Sequence, residues 1–183
     1  MKVLHLDSGR EMRGGQWQAL HLLNELRIMG VEQKLLARAG SPLGAEAGRL
    51  GFLCGQLSAF AVWRESRRYD VTHAHDAHSH TLAALAAGNR IVVSRRVAFP
   101  VGRGTLSRWK YSQGHRYLAV SNYVAGELRA AGIPPQRIAV VSDGVPVLTP
   151  VAHLGDVIVS PQWNDGRKPM ARKTYEQYKE ALR

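Results

Sequence analysis

The chain has 183 residues, of which 45% are hydrophobic and 21% are charged, so it is long and apolar enough to form one packed domain and is not a disordered segment. Its 25 lysines and arginines outnumber its 14 aspartates and glutamates, and the resulting charge of +11 favours an anionic partner. The single cysteine excludes an internal disulfide framework, and no apolar run reaches the roughly 18 residues of a membrane span. Because Asp7 interrupts the apolar N-terminus, we expect no signal peptide and a cytoplasmic protein.

Short apolar strands alternate with longer amphipathic helices along the chain. The first half predicts a strand over 3–6, a helix over 16–29, a strand over 33–37, a loop over 38–55 and a helix over 57–68. The second half predicts strands over 70–75, 91–94, 117–120 and 138–141, separated by helices over 81–87, 106–112 and 122–131. This alternation predicts an α/β fold, a Rossmann-like doubly wound parallel sheet with helices on both faces.

The last part of the chain has a different character. We expect the Rossmann-like domain to span 1–147 and the remainder, 148–183, to form a linker, one extra strand over 156–160 and a polar C-terminal helix over 170–183. In parallel α/β sheets ligands bind at the carboxyl ends of the strands, so the residues that follow each predicted strand are the candidates for a site.

A pair of glycines, Gly14 and Gly15, follows the first strand and precedes the first helix. A helix N-terminus offers free N–H groups, and glycine lets a phosphate approach the backbone. The spacing from Gly9 fits neither a dinucleotide fingerprint nor a Walker A loop, so a turn without a ligand stays open as an alternative.

Four histidines and one aspartate occur within residues 73–80, at the end of a predicted strand. The pattern is close to the HxHxDH signature of a metallohydrolase, but Asp76 stands one place too early to be the expected ligand. We therefore expect no metal, and we interpret His75, Asp76 and His78 as the polar lining of a ligand site. A metallohydrolase remains an alternative.

Residues 77–126 contain no acidic residue and seven basic ones. Arg95 and Arg96 directly follow a strand, and a pair of guanidinium groups at that edge suits a phosphate or carboxylate. Interleaved aromatic residues also suit nucleic acid or an anionic bilayer, of which we favour the bilayer. A solvated basic face is the simplest alternative.

Several segments in order resemble the N-terminal domain of bacterial glycosyltransferases of family 4, which have the GT-B fold. The resemblance covers about residues 1–147. The matching segments are LHLDSGREMRGGQWQALHLLNEL, KLLARAGSPL, DVTHAHDAHSHTLAAL, IVVSRRVAFP, SRWKY, YLAVSNYVAGEL and IAVVSDGV.

The resemblance implies retaining transfer of a sugar from a nucleotide-sugar donor to a glycan or glycolipid acceptor in cell-envelope or lipopolysaccharide synthesis. It implies no metal and no other cofactor. In that family the N-terminal half binds the acceptor, and the glycine pair, here Gly14 and Gly15, lies near the donor phosphates. The flanking residues Arg13 and Gln16, with His78, are then expected on the acceptor side.

The resemblance also implies catalytic roles for His75, Asp76, Arg95 and Arg96. Many family members carry a cleft histidine where this chain has Ser94-Arg95-Arg96, so an arginine here is expected to bind an acidic acceptor. The E-x7-E motif of the donor-binding half is absent from the 183 residues. We therefore expect a separately encoded donor-binding half as a partner and little transfer by this chain alone. The alternative is a non-catalytic module that binds an anionic glycolipid or membrane surface.

Overall fold

The computed structural model describes residues 1–102 and 104–144. They form one parallel sheet flanked by helices, which confirms the predicted doubly wound α/β fold. The expected domain boundary at 147, the linker, the strand over 156–160 and the helix over 170–183 lie outside the described residues.

Within the described residues, seven strands and six α-helices alternate along the chain. The strands are β1 (Lys2–Asp7), β2 (Glu32–Ala37), β3 (Cys54–Gln56), β4 (Val71–Ala74), β5 (Arg90–Arg95), β6 (Arg116–Ala119) and β7 (Ile138–Val140). The helices are α1 (Gly14–Ile28), α2 (Pro42–Arg49), α3 (Ala59–Ser66), α4 (Ala77–Ala86), α5 (Thr105–Ser112) and α6 (Asn122–Ala130).

All described strand pairs are parallel, in the order β3-β2-β1-β4-β5-β6-β7. The chain moves outward in one direction from β1 to β3 and then returns to place β4 on the other side of β1. The carboxyl edge between β1 and β4 is therefore the topological switch point, where folds of this type bind their ligands.

Side-chain alternation along the strands divides the core between two faces. On one face Leu22 and Leu26 of α1 pack against Val71, Val92 and Leu118. On the opposite face, alternate residues of β1, β4, β5 and β6, such as Leu4, Ala74 and Val93, pack against α3, α4 and α6, with Tyr117 fully buried among them. Because each strand buries both faces, its sequence is a nearly continuous apolar run.

The predicted loop over 38–55 is wrong, because it contains both α2 and β3. Helix α2 has two N-terminal signals, since the Ser41 hydroxyl accepts a hydrogen bond from the Gly44 amide and Pro42 is the first helical residue. Two glycines within the helix lower its intrinsic propensity and concealed it. Strand β3 is only three residues long and has no apolar run to reveal it.

Two helices begin earlier than predicted. Helix α4 begins at Ala77 and not at 81, because the Asp76 carboxylate caps it and accepts from the amides of His78 and Ser79. Helix α1 begins at Gly14, so the glycine pair forms the first turn of the helix and does not precede it.

Helix α1 must be firmly packed if its N-terminus is to present a site. Leu23 is fully buried between α1, β2 and α2, so Leu23→Ala should lower the free energy of unfolding by about 2–5 kcal/mol. The same change at Leu85, which is 65% exposed on α4, should cost less than about 0.5 kcal/mol. Urea denaturation of both variants measures this difference, and equal losses would contradict the packing described.

Candidate functional site

The carboxylate of Asp76 joins the two loops that meet at the switch point. Besides capping α4, it accepts hydrogen bonds from the Ser8 amide at 2.7 Å and from the Ser8 hydroxyl at 2.6 Å. Ser8 follows β1 and Asp76 follows β4, so one side chain fixes the relative position of the two strand ends. Its oxygens are occupied by protein donors, which makes Asp76 a positioning group at this edge.

A second carboxylate, that of Asp7, holds the β1–α1 loop from inside. It accepts from the Gly9 amide at 2.8 Å and from the Gln16 side-chain amide at 3.2 Å. A Cβ at Gly9 would lie 2.5 Å from Gln16 Nε2, so a larger residue there would have to displace the Gln16 side chain. Burial raises the pKa of Asp7 to about 6. Asp7 is the last residue of β1 and therefore lies at the strand ends where a site is expected, although it is not among the predicted site residues.

The glycine pair is open to an incoming group. Gly14 is exposed and Gly15 is partly exposed, and a Cβ at either would have no heavy atom of another described element within 4 Å, so this side of the first turn of α1 is open. The Gln16 side-chain oxygen lies 3.4 Å from the Arg13 amide, while the exposed Arg13 guanidinium pairs with Glu11 at 2.7 Å. Free amides and the positive end of the helix dipole here suit a phosphate.

Three imidazoles lie together beneath α1. His5 is the register partner of His73 on the neighbouring strand, and His75 follows two residues later on the same face. His5 Nδ1 and His75 Nε2 are 3.0 Å apart, and the rings of His73 and His75 are 4.1 Å apart. Burial lowers the pKa of His5 to about 3 and the pKa values of the other two well below the ordinary value, so all three are neutral at pH 7.

The predicted cluster over 73–80 is divided between different environments. His78 is exposed on the first turn of α4, and His80 is buried on the opposite face of the sheet, edge-on to Tyr111 at 5.0 Å. The residue that joins His73 and His75 is His5, from β1, which the sequence analysis missed because their proximity depends on strand pairing.

One nitrogen of each of His5, His73 and His75 lies within 4.8 Å of the others, which is a possible metal-ligating group. A bound ion would require the three nitrogens to converge to about 2.0–2.1 Å from one point. In the structure His5 and His75 are instead hydrogen-bonded to each other, and His73 contacts the Ser94 hydroxyl at 2.8 Å. This arrangement favours an internal polar cluster.

Arg95 and Arg96 diverge to opposite faces of the sheet. Arg95 donates to the Tyr111 hydroxyl at 2.7 Å and to the Phe99 carbonyl, so it braces the segment that leads into α5. Arg96 Nε donates to Asp143 Oδ1 at 3.1 Å on the α1 side. Successive side chains of an extended strand point in opposite directions, so a consecutive pair does not form one anion clamp.

The segment from β5 through α5 exposes several large apolar side chains. Helix α5 buries none of its residues, and Val97, Phe99, Leu106 and Trp109 are between 39% and 76% exposed. Arg108 and Lys110 lie among them. Among the described residues, no helix combines the length and the hydropathy needed to cross a bilayer.

The family model for glycosyltransferase family 4 matches residues 12–147, which is most of the chain. No curated protein matches the sequence.

Several solved structures have a similar fold. Anabaena HepE in complex with UDP matches with a TM-score of 0.69 at 13% identity, over 80% of this chain and 45% of HepE. The lipopolysaccharide outer core galactosyltransferase WaaB matches with a TM-score of 0.62 at 16% identity, over 81% of this chain and 47% of WaaB. A glycosyltransferase from Rickettsia africae matches with a TM-score of 0.59 at 17% identity, over 79% of this chain and 43% of that protein. This chain thus spans less than half the length of each.

The buried carboxylate of Asp7 generates a pH-dependent prediction. Its folded-state pKa of about 6 lies above the ordinary 3.8, so Asp7 favours folding at low pH and loses that contribution as the pH rises through 6. Asp7→Asn cannot ionise, so its stability relative to wild type should rise by about 2–3 kcal/mol between pH 4 and pH 8. Urea denaturation across this range measures it, with Asp70→Asn at an exposed position as the control. A difference that does not change with pH would contradict the assignment.

Proposed function

This chain belongs to glycosyltransferase family 4, and we propose that it is the acceptor-side half of an enzyme that transfers a sugar from a nucleotide-sugar donor to a glycan or glycolipid. The observation that carries the proposal is the uncovered first turn of α1, Gly14 and Gly15, at the switch point of the sheet. HepE was solved with UDP, which makes a uridine nucleotide the first ligand to test.

The chemistry proposed for this half is electrostatic. When the sugar leaves, negative charge develops on the diphosphate, and fixed amides stabilise that charge without reorganising. Gly14 and Gly15 present such amides, and the hydrogen bonds of Asp7 and Asp76 hold the preceding loop in place. The transfer we propose is retaining and uses no metal or other cofactor.

The acceptor side is proposed to lie along the neighbouring strand ends. Arg13 and His78 are exposed there and can contact an acceptor, whereas Gln16 is held by Asp7. His75 is buried against His5, so its proposed role is to support the site from behind. Of the two arginines, Arg96 is the better candidate for the acceptor, because Arg95 is engaged by Tyr111 and Phe99.

We further propose that a second, donor-binding half completes the cleft, since the similar structures are about twice as long as this chain. Transfer by the 183 residues alone should then be weak. The proposed setting is cell-envelope or lipopolysaccharide synthesis at the cytoplasmic side of the membrane. This setting is supported by the likeness to WaaB.

The phosphate-binding role can be tested without disturbing the fold. Since a Cβ at Gly15 would have no heavy atom of another described element within 4 Å, Gly15→Ala should fold normally but weaken UDP binding by about tenfold through contact with the phosphate. Gly126→Ala is a matched control, because this helical glycine of α6 is equally uncovered and lies on another element. UDP-dependent thermal shift of the three proteins measures the effect.

Equal stabilisation by UDP of wild type, Gly15→Ala and Gly126→Ala would show that the nucleotide does not approach this turn. The absence of any stabilisation by UDP or by other nucleoside diphosphates would contradict the donor-binding part of the proposal.

A second function, attachment to an anionic membrane surface, is favoured by the exposed apolar side chains of the β5–α5 segment. An apolar patch flanked by Arg108 and Lys110 suits the interface of an acidic bilayer. Attachment of this kind is compatible with transfer to a glycolipid, and it is also what a non-catalytic membrane-binding module would use.

Vesicles distinguish membrane attachment from a simply solvated face. The protein should co-sediment with vesicles that contain phosphatidylglycerol, and Phe99→Ser with Leu106→Ser should reduce the bound fraction by about half or more. Leu85→Ser, at a similarly exposed position on α4, should bind like wild type. Equal binding by all variants, or no binding, would contradict this second function.

A further inference from the structure

A small cavity lies beneath α1, between the ends of β4, β5, β6 and β7. Its volume is about 30 Å³, and its polar lining comes from Gln18, His73, Ser94, Arg96, Ser142 and Asp143. A space of this size holds one or two water-sized groups, so it can receive a single functional group of a ligand but not a whole sugar ring.

Two polar atoms of residues that line this cavity are buried without a hydrogen-bond partner among the described residues. They are Gln18 Oε1, which is an acceptor, and Arg96 Nη1, which is a donor. Both side chains are held in place by their other atoms, because Gln18 Nε2 donates to the Gly144 carbonyl at 2.7 Å and Arg96 Nε donates to Asp143 at 3.1 Å. Buried polar atoms of folded proteins are almost always paired, so each needs a partner.

The chemistry of the two atoms restricts the group that can pair with both. A hydroxyl donates one hydrogen bond and accepts others, so it can satisfy Gln18 Oε1 and Arg96 Nη1 together. A carboxylate or a fully ionised phosphate ester has no proton to give to Gln18, and any anion would lie near the carboxylate of Asp143. An ammonium group has no lone pair for Arg96 and would lie near its positive charge.

We propose that this cavity is a subsite for one uncharged hydroxyl group of a sugar. The proposal rests on the proposed function and deepens it, because it assigns Arg96 to a neutral hydroxyl and not to the acidic acceptor expected from the Arg95-Arg96 pair. The Arg96–Asp143 ion pair keeps the guanidinium in place and offsets its charge. Gln18 then distinguishes a hydroxyl from an anion.

Side-chain NMR of the full chain tests the subsite directly. Methyl glycosides of glucose, galactose and mannose, titrated to about 100 mM, should shift the side-chain signals of Arg96 Nε and Gln18 Nε2 in a saturable way for at least one sugar. Gln18→Met keeps the volume and removes the acceptor, so it should weaken that binding about fivefold or more. Gln113→Met, at an exposed position on another element, should leave it unchanged.

Three other outcomes would contradict the proposed subsite. If acetate or phosphate shifts these signals and the glycosides do not, the cavity binds anions. If neither does so while UDP still stabilises the protein, the cavity holds water only, and the proposed function stands without this subsite. If UDP and the glycosides both fail, both proposals fall. Thermal unfolding of Gln18→Met without ligand shows whether the variant is folded.

Discussion

The site depends on how the ends of β1 and β4 are held together, because that edge is where the direction of the sheet's winding reverses. Backbone pairing between them ends with the hydrogen bond from the His75 amide to the Leu6 carbonyl, and beyond it the connection is made by side chains. Asp76 accepts from Ser8 across the two strands, and Asp7 accepts from Gly9 and Gln16 within the β1–α1 loop. The orientation of the first turn of α1 follows from these bonds, and so does the accessibility of its glycines.

The two carboxylates contribute in different ways. Asp76 caps the N-terminus of α4, where it accepts hydrogen bonds from two backbone amides, and it also accepts one from the Ser8 hydroxyl. It therefore connects the start of α4 to the end of β1. Asp7 is buried deeply enough for its pKa to rise, which makes its ionisation at neutral pH a cost to stability. Residues with perturbed pKa values are concentrated at functional sites, and here the perturbed residue is Asp7, which holds the loop before the glycine pair.

Residue patterns predicted the sheet, the parallel direction of its strands and most of the helices. They could do so because the alternation between short apolar runs and longer amphipathic ones is a local property of the chain. Helix α2 was missed because Gly44 and Gly48 weaken its pattern, although its Ser-Pro start was visible. The grouping of the imidazoles depends on the fold and not on the local sequence. His5 and His73 are neighbours only through strand register, whereas His78 and His80 lie on helix α4, which begins at Ala77 directly after its cap Asp76. Likewise, consecutive arginines suggest one clamp in the sequence, but alternation sends Arg95 toward α5 and Arg96 toward α1.

The central claim is that the first turn of α1 receives the phosphates of a nucleotide. Titration of the ¹⁵N-labelled chain with UDP, followed through the backbone amide signals, tests it most directly. The structure predicts saturable shifts centred on Gly14, Gly15 and the residues of the β1–α1 loop, since their amides would become phosphate donors. Shifts confined to other elements, such as the β5–α5 segment, or no shifts at saturating UDP would contradict the account.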